Sequence, residues 1–183
     1  MGLFSKQNTQ QLTERQKLEA RYNSGRSNLL WVLIFTAINI GLLLMNQYTY
    51  FLFSAFIPYV IVVFGMQECG KLPPEHYEFD MSQYEFADSS FLTGTVIVAV
   101  VLCALYLLCW LLSKKGKVAW LIVGLVLFCL DTALMLLNGI SVDSILDVVF
   151  HIYVIVSMIG GVIAHSKLKK LPPEAPTGPD IVE

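Results

Sequence analysis

Apolar residues fall in five long blocks, 29–45, 51–66, 91–112, 118–138 and 144–164, separated by polar stretches. A helix needs about 20 apolar residues, within roughly 17–25, to cross the hydrocarbon core of a bilayer. The first, third, fourth and fifth blocks meet that length. The second is short and carries Pro58 near its middle. Proline removes a backbone donor and clashes with the preceding turn, so a break is predicted there. The pattern predicts an all-α fold, a polytopic transmembrane helical bundle with five hydrophobic segments and four or five crossings.

The last block is not uniformly apolar. At about 100° per residue, Asp143, Asp147, His151, Ser157, Gly161 and His165 share one side, and Ile145, Val148, Ile152, Ile155, Val156, Ile159 and Ile163 take the other. The apolar side suits lipid and the polar stripe suits a protein interior. In the fourth block, Asp131 stands alone as a mid-block carboxylate. An isolated charged Asp at bilayer depth costs at least ~2.5–3.5 kcal/mol and is a functional hypothesis by default. The link between blocks four and five is short, so they should form an antiparallel hairpin. Asp131 then lies level with about position 150, beside His151, and an Asp131–His151 contact is predicted. Asp147 falls a turn nearer the surface, with Asp143 beyond it, and His165 belongs to the opposite rim. Asn138 and Gly124, seven residues either side of Asp131, share its face. Thr36, Asn39 and Asn46 form a weaker polar face in block one. Ser157 with Gly161, and Gly160 with Ala164, are small-residue pairs that permit close helix packing.

Charge narrows the topology. Only 14% of the 183 residues are charged and 56% are apolar, against ~25% and ~45–50% in soluble domains. Lysine and arginine collect on cytoplasmic flanks. Lys6, Arg15, Lys17, Arg21 and Arg26 precede block one, Lys114, Lys115 and Lys117 separate blocks three and four, and Lys167, Lys169 and Lys170 follow block five. Only Lys71 lies in the loop between blocks two and three. Five crossings divide these residues evenly, whereas four crossings with a re-entrant block two leave Lys71 alone outside. The second arrangement is preferred. It puts both ends in the cytoplasm and Trp31, Trp110 and Trp120 at that interface, in a multi-pass protein of the cell membrane.

The domain layout follows. Residues 1–27 form a cytoplasmic tail with a short helix at 12–23, where Thr13 and Gln16 fit a capping box and Leu12, Leu18 and Tyr22 rest on the membrane surface or face solvent. Residues 28–166 are the transmembrane domain, including an acidic, aromatic, solvated loop at 67–90. Residues 167–183 are a disordered proline-rich tail. The pentapeptide Lys-Leu-Pro-Pro-Glu occurs at 71–75 and 170–174. Proline pairs are a general helix stop, and this is preferred over an internal duplication.

No Gly-x-Ser-x-Gly, His-Glu-x-x-His, Walker or Rossmann pattern is present, so an enzyme is not expected. Cys103, Cys109 and Cys129 lie in apolar blocks, Cys69 is in a loop, and no Cys-x-x-Cys occurs. Cys69, Glu75, His76 and Asp80 match no metal-ligand spacing, and neither metal nor cofactor is expected. A formal charge of −2 offers no basic surface for nucleic acid. The runs Arg-Ser-Asn-Leu-Leu-Trp-Val-Leu-Ile-Phe-Thr-Ala-Ile-Asn-Ile at 26–40, Tyr-Phe-Leu-Phe-Ser-Ala-Phe-Ile-Pro-Tyr at 50–59, Asp-Thr-Ala-Leu-Met-Leu-Leu-Asn-Gly-Ile at 131–140 and Lys-Leu-Lys-Lys-Leu-Pro at 167–172 resemble a group of small polytopic membrane proteins of Gram-positive gut bacteria. That resemblance implies the membrane class and supplies no catalytic residues. Two functions stay open. One is a membrane scaffold or regulatory subunit whose partners are the lipid bilayer and another membrane protein or a second copy of itself. The other is a small transporter or channel component handling protons or cations through Asp131, Asp147 and His151.

Overall fold

The computed structural model describes residues 13–47, 49–77, 80–114, 116–139 and 145–172. Among them the chain forms five α-helices: α1 (Glu14–Leu44), α2 (Phe56–Glu68), α3 (Ser89–Ser113), α4 (Val118–Leu137) and α5 (Ile145–Leu168). Four of these, α1, α3, α4 and α5, are long and apolar enough to cross a membrane. Their outward faces are apolar, with Val100, Val126, Leu130, Val149, Ile152 and Val156 all exposed. A helix apolar all round is a membrane span or a deep core helix. Exposed side chains of this kind fit lipid, and the protein is a multi-pass membrane protein.

α1 corrects one expectation. Thr13 caps the helix through a reciprocal capping box with Gln16, but no separate helix ends near residue 23. The helix continues for 31 residues, about 46 Å at 1.5 Å per residue. Nor does Tyr22 lie on the membrane surface. It is buried, and its hydroxyl donates to the Ser113 carbonyl at 2.7 Å. Arg26 is also buried and reaches the Trp110 carbonyl at 3.0 Å and the Ser113 hydroxyl at 3.3 Å. Two of the carbonyls at the end of α3, of Trp110 and Ser113, thus accept from side chains of α1, with a cation at the negative end of the helix dipole. This polar fixture makes the Ser24–Asn28 stretch a packed helix rather than a link.

The α1–α5 contact depends on glycine. A Cβ on Gly25 would lie 2.8 Å from the Ser157 carbonyl oxygen and 3.0 Å from Gly161 Cα. Ser157 also accepts from Asn28 Nδ2 at 2.7 Å. Gly160 packs under the Arg21 guanidinium, and Ala164 is buried. The small residues of α5 therefore face α1 within the bundle.

The second block behaves unlike the spans. Only its latter part is helical, and Pro58 does not break that helix. It occupies the first turn of α2, where a missing N–H costs nothing. The break comes earlier, in the non-helical stretch 49–55. From there α2 packs Val62 and Met66 with Ile40 and Leu43 of α1 and Ala99 of α3, and Gly65 lies against Thr95. Residues 45–68 therefore enter and leave the bundle at one end, the end where α1 and α4 finish and α3 begins (the loop end). The opposite, tail end holds the start of α1, the α3–α4 turn and the finish of α5.

The 67–90 loop is more structured than its polarity suggests. Single 3-10 turns span Pro74–His76 and Met81–Gln83. The Tyr77 hydroxyl accepts from Leu72 N and donates to the Gln67 carbonyl. Phe86 packs edge-on to Tyr77 and Tyr84 and lies over Gly70, which adopts φ +64°. Leu72 and Tyr77 join the buried cluster of α1, α2 and α3, so aromatic burial overrides the charge of the segment.

Candidate functional site

The polar residues inside the bundle converge where non-helical backbone lies at membrane depth. Such backbone has no water to bond and must be satisfied by protein. Thr36, one turn above Val32 on α1, donates to the Val32 carbonyl and accepts from Ala55 N at 2.7 Å. Asn39, on the same face, grips residue 51 from both sides: its Oδ1 accepts from Phe51 N and its Nδ2 donates to the Phe51 carbonyl, each at 2.8 Å. Asn46, read as part of that face, lies beyond the helix end with φ +57° and is exposed. Phe53 adopts φ +71°, a conformation costing ~1–3 kcal/mol in a non-glycine residue. Its ring is held by Phe150, with centroids 4.1 Å apart, and by Phe35 and Tyr153.

Asp131 completes this arrangement. Its Oδ2 accepts from Phe56 N and its Oδ1 from Ile57 N, both at 2.8 Å, and the residue is fully buried. The carboxylate is thus the N-terminal cap of α2, supplied by another helix; Ala55 at the cap position makes no side-chain cap bond. A hydrogen bond to a charged group is worth ~1.5–3 kcal/mol. Two such bonds, aided by the positive end of the helix dipole, match the insertion cost of the charge.

His151 lies beside this cap. Its Nε2 is 3.6 Å from Asp131 Oδ2, within ion-pair reach and too long for a hydrogen bond. Its Nδ1 is 2.8 Å from the Asp147 carbonyl, which can only accept, so Nδ1 carries a proton. A proton on Nε2 as well turns the Asp131 contact into an ion pair. Asp147 Oδ1 lies 3.5 Å from Nδ1, and Phe128 stacks parallel on the imidazole at 4.9 Å. The Tyr50 hydroxyl donates to Asp147 Oδ2 at 3.3 Å and accepts from Ser54 at 2.6 Å. Asp131, Asp147, His151, Tyr50 and Ser54 therefore form one polar chain inside the bundle.

Other sequence-derived candidates fall outside it. Asn138 caps the end of α4 and is exposed, because seven residues from Asp131 carry it out of the packed interface. Asp143 lies outside the described residues. His165 is at the tail end, its ring 5.1 Å from Tyr22. Ser157, Gly160, Gly161 and Ala164 belong to the α1 contact. Tyr50 and Ser54 were not singled out from the sequence; the only hint was the hydroxyl groups of Thr49, Tyr50 and Ser54 in a stretch that is otherwise apolar. Among the described residues no three His, Cys, Asp or Glu side chains gather to hold a metal ion. The four cysteines are free thiols. No family model matches this chain, nor does any curated protein or solved structure.

Proposed function

We propose that the protein is a small membrane scaffold or regulatory subunit, without enzymatic activity, and that its intramembrane polar cluster fixes the re-entrant segment. One observation carries this reading: both oxygens of the buried Asp131 accept backbone N–H bonds from the start of α2. A carboxylate saturated in this way holds a fold together. A carrier carboxylate must exchange its partner for a transported ion.

A second reading rests on a separate observation. Asp147 Oδ1 and His151 Nε2 are buried without hydrogen-bond partners, and Tyr50, Asp147, His151 and Asp131 form a continuous series of polar contacts. That series suits proton transfer. Purified protein in liposomes tests the two. The scaffold reading expects proton and potassium flux no higher than in empty vesicles, unchanged by Asp131→Asn. Flux that disappears in Asp131→Asn overturns it in favour of transport. A photoreactive residue at the exposed Trp31 or Tyr153 should form a discrete protein adduct in the native membrane, and lipid adducts alone at both positions count against a scaffold.

A further inference from the structure

At the tail end, Arg15, Glu19, Tyr22 and Asn23 of α1, Lys114 and Gly116 of the α3–α4 turn, and His165, Leu168 and Lys169 of α5 enclose a cleft of about 380 Å³. Its size falls within the roughly 300–1,000 Å³ of small-molecule sites. Three cations and one carboxylate line it. His165 closes one side of it, its ring resting on Tyr22. Gly116, at φ +69°, brings the turn to the imidazole, where a Cβ would lie 3.5 Å from His165 Cε1. Tyr22 already donates to Ser113 and Arg15 to the Pro172 carbonyl, at 2.7 and 2.8 Å, so the walls of the cleft are fixed by bonds among α1, the α3 terminus and the chain after α5.

We infer that this cleft binds a phosphate-bearing anion, with Lys114 and Lys169 supplying the charge that recognises it. Basic pockets between transmembrane helices suit phospholipid head groups. The cleft lies at the polar boundary of the bundle, where a lipid head group and a soluble phosphate ester both reach it. The inference does not depend on whether the intramembrane cluster is structural or transports protons.

The test uses the full chain in detergent, titrated with phosphatidylglycerol, phosphatidylcholine and inorganic phosphate, and read by native mass spectrometry and thermal shift. Phosphatidylglycerol should bind and raise the melting temperature, phosphatidylcholine should bind at least tenfold more weakly, and K114Q/K169Q should weaken phosphatidylglycerol by about thirtyfold, each lysine near an anionic surface being worth about fivefold. A charge-matched double variant outside the cleft, K17Q/K170Q, should retain binding within about fivefold. A shift with inorganic phosphate that is as large as with phosphatidylglycerol assigns the site to a soluble phosphate and keeps the inference. Equal losses in the two double variants show diffuse surface attraction and overturn it. So does phosphatidylglycerol binding no tighter than phosphatidylcholine, without a phosphate shift. If K114Q/K169Q does not fold, K114Q and K169Q are made singly, and each should weaken phosphatidylglycerol by about fivefold; unchanged affinity in both is equally fatal.

Discussion

Single residues decide whether a charge or a glycine in this bundle is tolerated. Asp131 is stabilised because two backbone donors point at it, so removing it leaves Phe56 N and Ile57 N buried and unpaired. Asp131→Ala should lower unfolding stability in micelles by about 1–3 kcal/mol, and Asp131→Asn by less, since one amide oxygen still accepts. An Ala variant as stable as the parent would remove the capping role. The glycines give a matched pair. Gly41 has open space where a Cβ would stand, while Gly25 meets α5 backbone. Gly41→Ala should stabilise by about 0.5–1 kcal/mol through reduced chain entropy. Gly25→Ala must push α1 from α5 and should destabilise despite the same entropic gain. Two alanine variants with the same sign would contradict the close approach. The sequence made the Asp131–His151 pairing legible because both residues stand out in apolar blocks at matched depth. It left the main partner of Asp131 illegible, since backbone amides carry no sequence signature.

Among the elements, the segment around α2 is the most informative, and its failure to form a helix of spanning length was visible in block length. Its internal design was not. Pro58 marked irregularity, but its fixed φ suits a helix start, and the actual disruption lies where Phe53 takes a left-handed conformation. That conformation follows from ring packing and from the grip of Asn39 on residue 51. Gln47 and Gln67 flank the segment. With the native cysteines replaced by alanine, cysteines at 47 and 67 should react with an impermeant maleimide from the same side of sealed vesicles; reaction from opposite sides means that the segment crosses. The polar loop beyond α2 is tied to α3 by Asp88, which accepts from Ser90 N at 2.5 Å and caps the helix. The Ser90 hydroxyl and, after it, this amide hold the Asp88 carboxyl below its ordinary value of 3.8. Its stabilisation is complete above that value and is lost as pH falls through the lowered one. After correction for intrinsic exchange, protection of the Ser90 amide should fall in this acid window. Asp88→Asn keeps a capping oxygen without a titrating charge and should flatten the response. A variant that keeps the parent's pH profile would place its cause elsewhere.

Across the whole molecule, charge is divided between the two ends of the bundle. Arg15, Lys17, Arg21, Arg26, Lys114, Lys117, Lys167, Lys169 and Lys170 sit at the tail end with the carboxylates Glu14 and Glu19, and Glu68, Glu75, Asp80, Glu85 and Asp88 at the loop end, with Lys71 the sole described cation there. Four crossings with one re-entrant segment would keep this separation, because a fifth crossing would send the α3–α4 turn and the start of α1 to opposite sides. Lysine and arginine near short loops set orientation far more strongly than aspartate or glutamate. The tail end should therefore face the cytoplasm. A reporter fused after α5 that fluoresces only in the cytoplasm should be bright, and an exported phosphatase at the same position should be inactive. Exchanging Lys114, Lys117, Lys167, Lys169 and Lys170 for glutamine while adding lysines within 67–88 should produce a mixed or inverted population, whereas removing the loop-end carboxylates alone should leave orientation unchanged. If the carboxylates rather than the lysines control the outcome, the charge division reflects solubility of the loop and not the insertion of the bundle.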